Sequence, residues 1–192
     1  MTVIAFQSKV LQSDGPWRPA ELKALVVVPT LLTDEAQIAE QISRLGVHYL
    51  ANSDGALRFA LLSDWTDAPG EHAPRDDALL AAARAGIDAL NRQYGAAAGG
   101  EPRFYLFHRR RVWSAGEGTW MGWERKRGKL HELNRLLRGA ADTTFLTAPA
   151  PSSVPEDIRY VITLDADTHL PRGAAARLVG TLAHPLNRAR LD

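Results

Sequence analysis

Two runs of consecutive β-branched and apolar residues stand out along the chain, ALVVVP at 24–29 and RYVITL at 159–164, with RFALLS at 58–63 and RFYLFH at 103–108 between them. A strand with one wet face alternates apolar and polar side chains, so unbroken runs predict strands covered on both faces, as in a parallel sheet. After each run the apolar positions change spacing to three or four: Ile38, Ile42, Leu45; then Leu79, Ala83, Ile87, Leu90; then Leu130, Leu133, Leu137; then Leu178, Val179, Leu182. That period predicts helices with one buried stripe. Gly, Pro and Ser cluster at 64–77, 95–102 and 147–157, which read as loops. The fold class expected is therefore α/β: a β-α unit repeated four times, a mainly parallel sheet flanked by helices, and a ligand crevice at the carboxyl ends of the strands. The strands near 103 and 159 are expected to neighbour or flank the one near 24. Residues 1–23 carry no comparable pattern and are set apart as an N-terminal extension to a unit spanning 24–192.

Composition narrows the function classes. The 192 residues are 45% apolar and 23% charged, enough for one globular domain with a sizeable core. The formal net charge of +1 gives no global attraction to polyanions, so electrostatic chemistry must be local. Absence of cysteine removes disulfides, thiolate catalysis and zinc–sulfur sites, and fits a reducing compartment. The longest apolar stretch, 24–32, falls far short of the ~20 residues that cross a bilayer. No leader pattern follows Met1, so the chain reads as soluble.

Chemistry enters at LDADTHLPRGA, where Asp165 and Asp167 leave the carboxyl end of the last strand run. Positions i and i+2 of an extended chain project to one side, which aims two carboxylates at one place. Like charges so close call for a cation, and a hard divalent ion shared with a substrate diphosphate meets that need. The alternative is that Asp167 or Thr168 caps a helix begun by Pro171. An apolar strand ending in D-x-D occurs in haloacid-dehalogenase-like phosphatases and in nucleotide-sugar glycosyltransferases of the GT-A type. The phosphatase pattern places Thr or Val where His169 stands and needs downstream groups for which only 25 residues remain. The several β-α units ahead of the motif favour the transferase.

A second segment, WMGWERKRGKLHELNRLLRGA at 120–140, reads as a basic glycine-containing turn opening an amphipathic helix. Lys126-x-Gly128-x-Leu130 with Asn134 resembles the K-x-G-x-L-N element of processive family 2 glycosyltransferases. There a lysine offsets diphosphate charge and a glycine lets backbone N–H groups approach phosphate. The alternative is a solvated basic face carrying Lys129, Glu132 and Arg135. Seven of the 23 Lys and Arg fall between 109 and 129, interleaved with Trp113, Trp120 and Trp123. Such a mixture suits single-stranded nucleic acid or a sugar nucleotide, and no nucleic-acid motif accompanies it. Residues 112–126, with three glycines, read as a mobile loop or short hairpin over the donor site, ordered mainly by ligand.

Taken together, LVVVPTLL, RFALLSDWTDA, the segment 108–140, RYVITLDADTHLPRGA and LVGTLAHPLNR resemble the glycosyltransferase domain of cyclic β-1,2-glucan synthases, glycosyltransferase family 84. The resemblance implies a GT-A-like, Rossmann-like partial domain and an inverting transfer of glucose from UDP-glucose to a β-1,2-glucan acceptor. It implies Mg or Mn on the donor diphosphate, bound by Asp165 and Asp167. It further implies that Pro29, Thr30 and Asp64 contact the nucleotide and that Lys126 and Lys129 neutralise phosphate, with Arg125 and Arg127 behind them. Leu32 and Thr33 stand where family 2 carries Asn-Glu. His169 is given a structural role. No nucleic-acid partner is implied. The full-length protein would sit at the cytoplasmic face of the bacterial inner membrane, held by segments outside this chain, and the general base would lie beyond residue 192. This chain alone is then expected to bind donor without polymerising it. The other readings are a phosphatase, a silent nucleotide-sugar sensor or a nucleic-acid-binding module.

Overall fold

A computed structural model describes residues 2–5, 22–53, 56–97, 99–146 and 154–187. The strands are β1 (Thr2–Ala5), β2 (Ala24–Leu32), β3 (Leu57–Trp65), β4 (Phe104–Arg109), β5 (Val112–Ser114), β6 (Thr119–Met121) and β7 (Tyr160–Thr163). The helices are α1 (Glu35–Ala51), α2 (Asp76–Tyr94), α3 (Arg125–Leu137) and α4 (Ala174–Ala183). Five strands form one sheet in the order β1-β7-β2-β3-β4, and β5 and β6 form a separate hairpin. The four strands drawn from the apolar runs are mutually parallel.

The unbroken hydrophobicity of these strands follows from the layers around them. Alternate residues of β2 and β3, Ala24, Val26, Val28, Leu57, Phe59 and Leu61, pack with Leu45 of α1, Ile87 and Leu90 of α2, and Ala175 and Val179 of α4. The intervening residues, Leu25, Val27, Ala60 and Leu62, pack on the opposite face with Leu133 of α3. Three helices thus cover one face and one covers the other, so an unpartnered polar side chain in the middle of these strands is costly. Gly86 of α2 permits the close α1–α2 crossing: a Cβ there would lie 2.1 Å from Ile42 Cδ1.

Two features differ from the sequence expectation. The strand near 159 does flank the strand near 24, but the strand near 103 is separated from it by β3. The reason is topological: β2, β3 and β4 are laid down side by side by two crossovers on one face, and the chain then returns over the other face through α3 to place β7 on the free side of β2. Within the segment 1–23, Thr2–Ala5 adds an antiparallel edge strand, Thr2 opposite Thr163. Met1 and residues 6–21 lie outside the described residues, as does most of the loop read at 147–157.

The sheet opens where the strand order reverses. β2 runs on to Leu32 beside β3, whereas β7 leaves it after Thr163 opposite Val27, with Leu164 N–H still donating to Val27 O at 3.0 Å. Pro29 falls just past that departure, so its missing N–H removes no rung from the β2–β7 ladder. A crevice at a reversal of strand order is where open α/β sheets bind ligands.

Candidate functional site

The turn that follows β7 carries the acidic pair. Asp165, Asp167 and His169 are exposed, while Leu164 and Leu170 on either side are buried and hold the segment down. Thr168 N–H donates to Asp165 O at 2.9 Å, closing the turn. The ammonium of Lys126, in the first turn of α3, sits on Asp165 Oδ1. That hydrogen bond and the charge of Lys126 hold the Asp165 carboxyl below the ordinary carboxylate range. One cationic group, the Lys126 ammonium, thus faces the acidic turn. Among the described residues no group of three or more His, Cys, Asp or Glu forms a metal cage. A divalent ion held by Asp165 and Asp167 would take its other oxygens from a bound phosphate group and water, as magnesium commonly does.

Asp64 and Lys129 lie beneath this surface. Arg109 donates to the Asp64 carboxylate from Nε at 2.7 Å and from Nη2 at 3.0 Å, and Lys129 Nζ stands 3.1 Å from Asp64 Oδ2. Arg109 Nη1 also reaches Glu132 Oε2 at 3.1 Å, and Glu132 accepts from Thr144 N–H and Oγ1. These four charged residues are buried and sum to zero, the arrangement that makes interior charge tolerable. Burial draws the Lys129 ammonium below its usual range, with Asp64 pulling the other way. Lys129 Nζ also donates to Thr30 O at 2.5 Å, so α3 is tied to the end of β2 as well as to β3. The solvated basic face considered for Lys129 and Glu132 is not what forms; both are interior, and Arg135 pairs with Asp142 at 2.6 Å. Thr30 is buried and Pro29 half-buried near the carboxyl end of β2.

The entry to α3 explains the glycine of the K-x-G pattern. Glu124 and Arg125 both adopt left-handed backbone, φ 51° and 46°, and fold the chain back onto the helix. A Cβ at Gly128 would lie 2.0 Å from Trp123 O. The missing side chain lets the protein's own turn pack against the helix, and Gly128 N–H donates to Glu124 O at 3.0 Å. Arg109 secures that turn by donating to Trp123 O at 3.1 Å and to Arg125 O at 3.2 Å. Gly122 is needed for the same reason, since a Cβ there would meet Asp64 Oδ2 at 2.6 Å.

The basic and aromatic cluster separates into interior and surface parts. Arg109 belongs to the buried network, and Arg111 is buried against Asp76, with Nη1 2.5 Å from Oδ2 and Nη2 3.0 Å from Oδ1. Arg110 is exposed. The segment read as a loop or hairpin is a hairpin over 112–121, with Trp113 opposite Trp120. It is fastened to the body by paired Ala68–Trp120 backbone hydrogen bonds of 3.0 and 3.1 Å. Trp113 and Trp123 remain exposed. His108, next to Arg109, bonds through Nδ1 to Ser63 Oγ at 2.8 Å, and burial pushes its pKa down to about 3.

The sequence reading missed Arg109 and Glu132 as the centre of the site's foundation, and missed Arg44, whose Nη1 donates to Ala166 O between the two aspartates at 2.8 Å. Only topology brings these residues together: Arg109 and Asp64 are 45 apart, Arg44 and Ala166 are 122 apart. One available signal was the placement of Asp64 and Arg109 at the carboxyl ends of adjacent parallel strands.

No family model matches the chain. The chain is 52% identical over 170 residues, 88% of its length, to the cyclic beta-(1,2)-glucan synthase NdvB of Rhizobium meliloti (strain 1021). It spans about 6% of that protein's length. The similarity is therefore to one segment of a much longer chain.

Proposed function

This chain is homologous over most of its length to a segment of a cyclic β-(1,2)-glucan synthase, and from that kinship we propose that it forms the donor-binding part of a glycosyltransferase domain in a longer enzyme. The donor is UDP-glucose and the acceptor a growing β-1,2-glucan. The observation that carries this reading is the exposed carboxylate pair at the point where β7 parts from β2, with a lysine ammonium already resting on it.

Asp165 and Asp167 would hold Mg or Mn, whose contribution when bound is to stabilise negative charge on the departing diphosphate. Lys126 releases Asp165 and turns its ammonium towards a phosphate oxygen, a short swing for a flexible side chain that is half-exposed. Pro29 and Thr30 line the nucleotide side of the crevice. Asp64 and Lys129 act from below, fixing the ends of β2 and β3 against α3. In the transfer, the acceptor hydroxyl attacks the anomeric carbon as its bond to the diphosphate oxygen breaks, inverting configuration, and the hydroxyl proton passes to a base. That base and the acceptor groove belong to other parts of the longer enzyme, so the chain alone binds donor and makes no glucan. The full-length enzyme works at the inner membrane through segments other than these; no helix among the described residues is long and apolar enough to cross a bilayer.

The test is made in a full-length relative. Asparagine at the positions matching Asp165 and Asp167 should each reduce glucan synthesis from UDP-glucose at least a hundredfold without lowering the amount of enzyme. Synthesis within twofold of the parent would refute the assignment.

A further inference from the structure

The acidic turn is held in place from α1. Its first residue is fixed by the sheet through Leu164 N–H to Val27 O. The next hold is at Ala166, the residue between the two aspartates, whose carbonyl accepts from Arg44 Nη1 at 2.8 Å. Arg44 is itself braced one turn back, Nη2 lying 2.6 Å from Glu40 Oε1. Beyond the last turn of α1, its buried C-cap residue Asn52 spans the link from the turn to α4: its Nδ2 donates to Pro171 O at 3.2 Å, and its Oδ1 accepts from Ala175 N–H at 3.1 Å. Gly173 N–H donates to Ala51 O at 3.0 Å. Arg44 and His48 lie one turn apart on one stripe of the helix, and Asn52 caps its C-terminal end.

We propose that α1 is the positioning element of the acidic turn, and that Arg44 is the residue that sets how Asp165 and Asp167 present their carboxylates to a metal-bound diphosphate. The inference rests on the donor-site reading above. Two exposed like charges repel, and two peptide planes separate them; the Thr168 N–H holds the first through the Asp165 carbonyl. The hydrogen bond from Arg44 to the Ala166 carbonyl fixes the second plane, and with it the Cα of Asp167 relative to Asp165. The planar fork of arginine reaches the carbonyl and the brace at Glu40 at once, which an ammonium on a flexible stem does poorly. Groups that orient metal ligands in this way typically change affinity by about 10- to 100-fold when removed.

The experiment uses the 192-residue chain with Arg44→Met and Arg44→Lys, and three measurements: amide hydrogen exchange at Thr168 without ligand, calorimetric affinity for Mn–UDP, and thermal midpoint. In Arg44→Met the Thr168 amide should exchange about tenfold faster and Mn–UDP should bind about tenfold more weakly, with the midpoint close to the parent's. Arg44→Lys should share both defects. Parental exchange at Thr168 in Arg44→Met overturns the proposal. So does a loss of affinity that merely follows a loss of thermal midpoint and is restored in both by lysine. If Thr168 responds as stated while the parent chain binds no Mn–UDP, the positioning role stands and the donor-site reading fails.

Discussion

Arg109 joins more of the molecule than any surface residue of its HRRR run suggests. Its guanidinium links Asp64 on β3, Glu132 on α3 and two carbonyls of the turn entering α3. Replacing it with methionine leaves two buried carboxylates short of their cation, a change that typically costs about 3–5 kcal/mol; denaturant unfolding of Arg109→Met should show a loss of that size, and a loss under 1 kcal/mol would contradict the network. Lys126 is the contrast. Its pair with Asp165 is half-exposed and screened by solvent, so Lys126→Met should leave the thermal midpoint close to the parent's while weakening Mn–UDP binding several-fold in calorimetry. His108 supplies a pH signature. Burial lowers its pKa from the ordinary 6.5 to about 3, so the unfolded chain binds the proton that the native state refuses. Its contribution is fully present above pH 6.5 and is lost as pH falls towards 3, amounting to about 2 kcal/mol by pH 5. Burial lowers His48 too, with the same sign. Urea midpoints at pH 7 and pH 5 should differ by less in His108→Gln than in the parent, and identical pH dependence would refute the assignment. None of these roles was written in residue type alone. Asp64 and Lys129 could be singled out from their places beside a strand end and in a glycine-containing turn, but which charges pair inside the protein depends on contacts that the fold makes later.

The strands and helices were legible where hydrophobic periodicity was long and unbroken. β2, β3, β4 and β7 follow the four apolar runs within a few residues because burial on both faces keeps the middles of the strands apolar and leaves most polar residues near their ends. β1 and the β5–β6 hairpin were harder to read: β5 and β6, at three residues each, are too short to show a period, and β1 takes its place only by pairing with the free edge of β7. Strand order was half legible. Alternation of strand and helix requires a parallel sheet, but the side on which the chain returns is decided by α3 lying on the opposite face from α1, α2 and α4. α3 itself is governed at its start by close packing. Gly128→Ala would press a methyl group into Trp123 O and should destabilise the chain by about 3 kcal/mol, near the upper range for overpacking. At Gly116 a Cβ meets nothing within 4 Å, so Gly116→Ala should stay near neutral. Equal thermal midpoints for the two variants would mean that the turn into α3 is not packed as described.

Across the whole molecule, the elements converge on the opened edge between β2 and β7. The sheet supplies its floor, α3 brings Lys126 to Asp165, α1 holds the carbonyl between the aspartates, and a zero-sum buried network locks α3 to the strand ends. The parallel sheet was readable from the alternation of elements, and the exposed acidic pair from its place after an apolar run. The foundation beneath was not, because it is assembled from four segments distant in sequence. The measurement that bears most directly on donor binding is a calorimetric titration of the 192-residue chain with UDP-glucose, with and without Mn, beside Asp165→Asn. A donor diphosphate brought against two carboxylates without a cation meets repulsion of about 1 kcal/mol per charge pair at ~4 Å even in a water-like dielectric. Binding should therefore appear with Mn, vanish with chelator, and fall at least tenfold in Asp165→Asn, with metal-free binding equally poor in both proteins. Tight binding of UDP-glucose without metal, or parental affinity in Asp165→Asn, would contradict it.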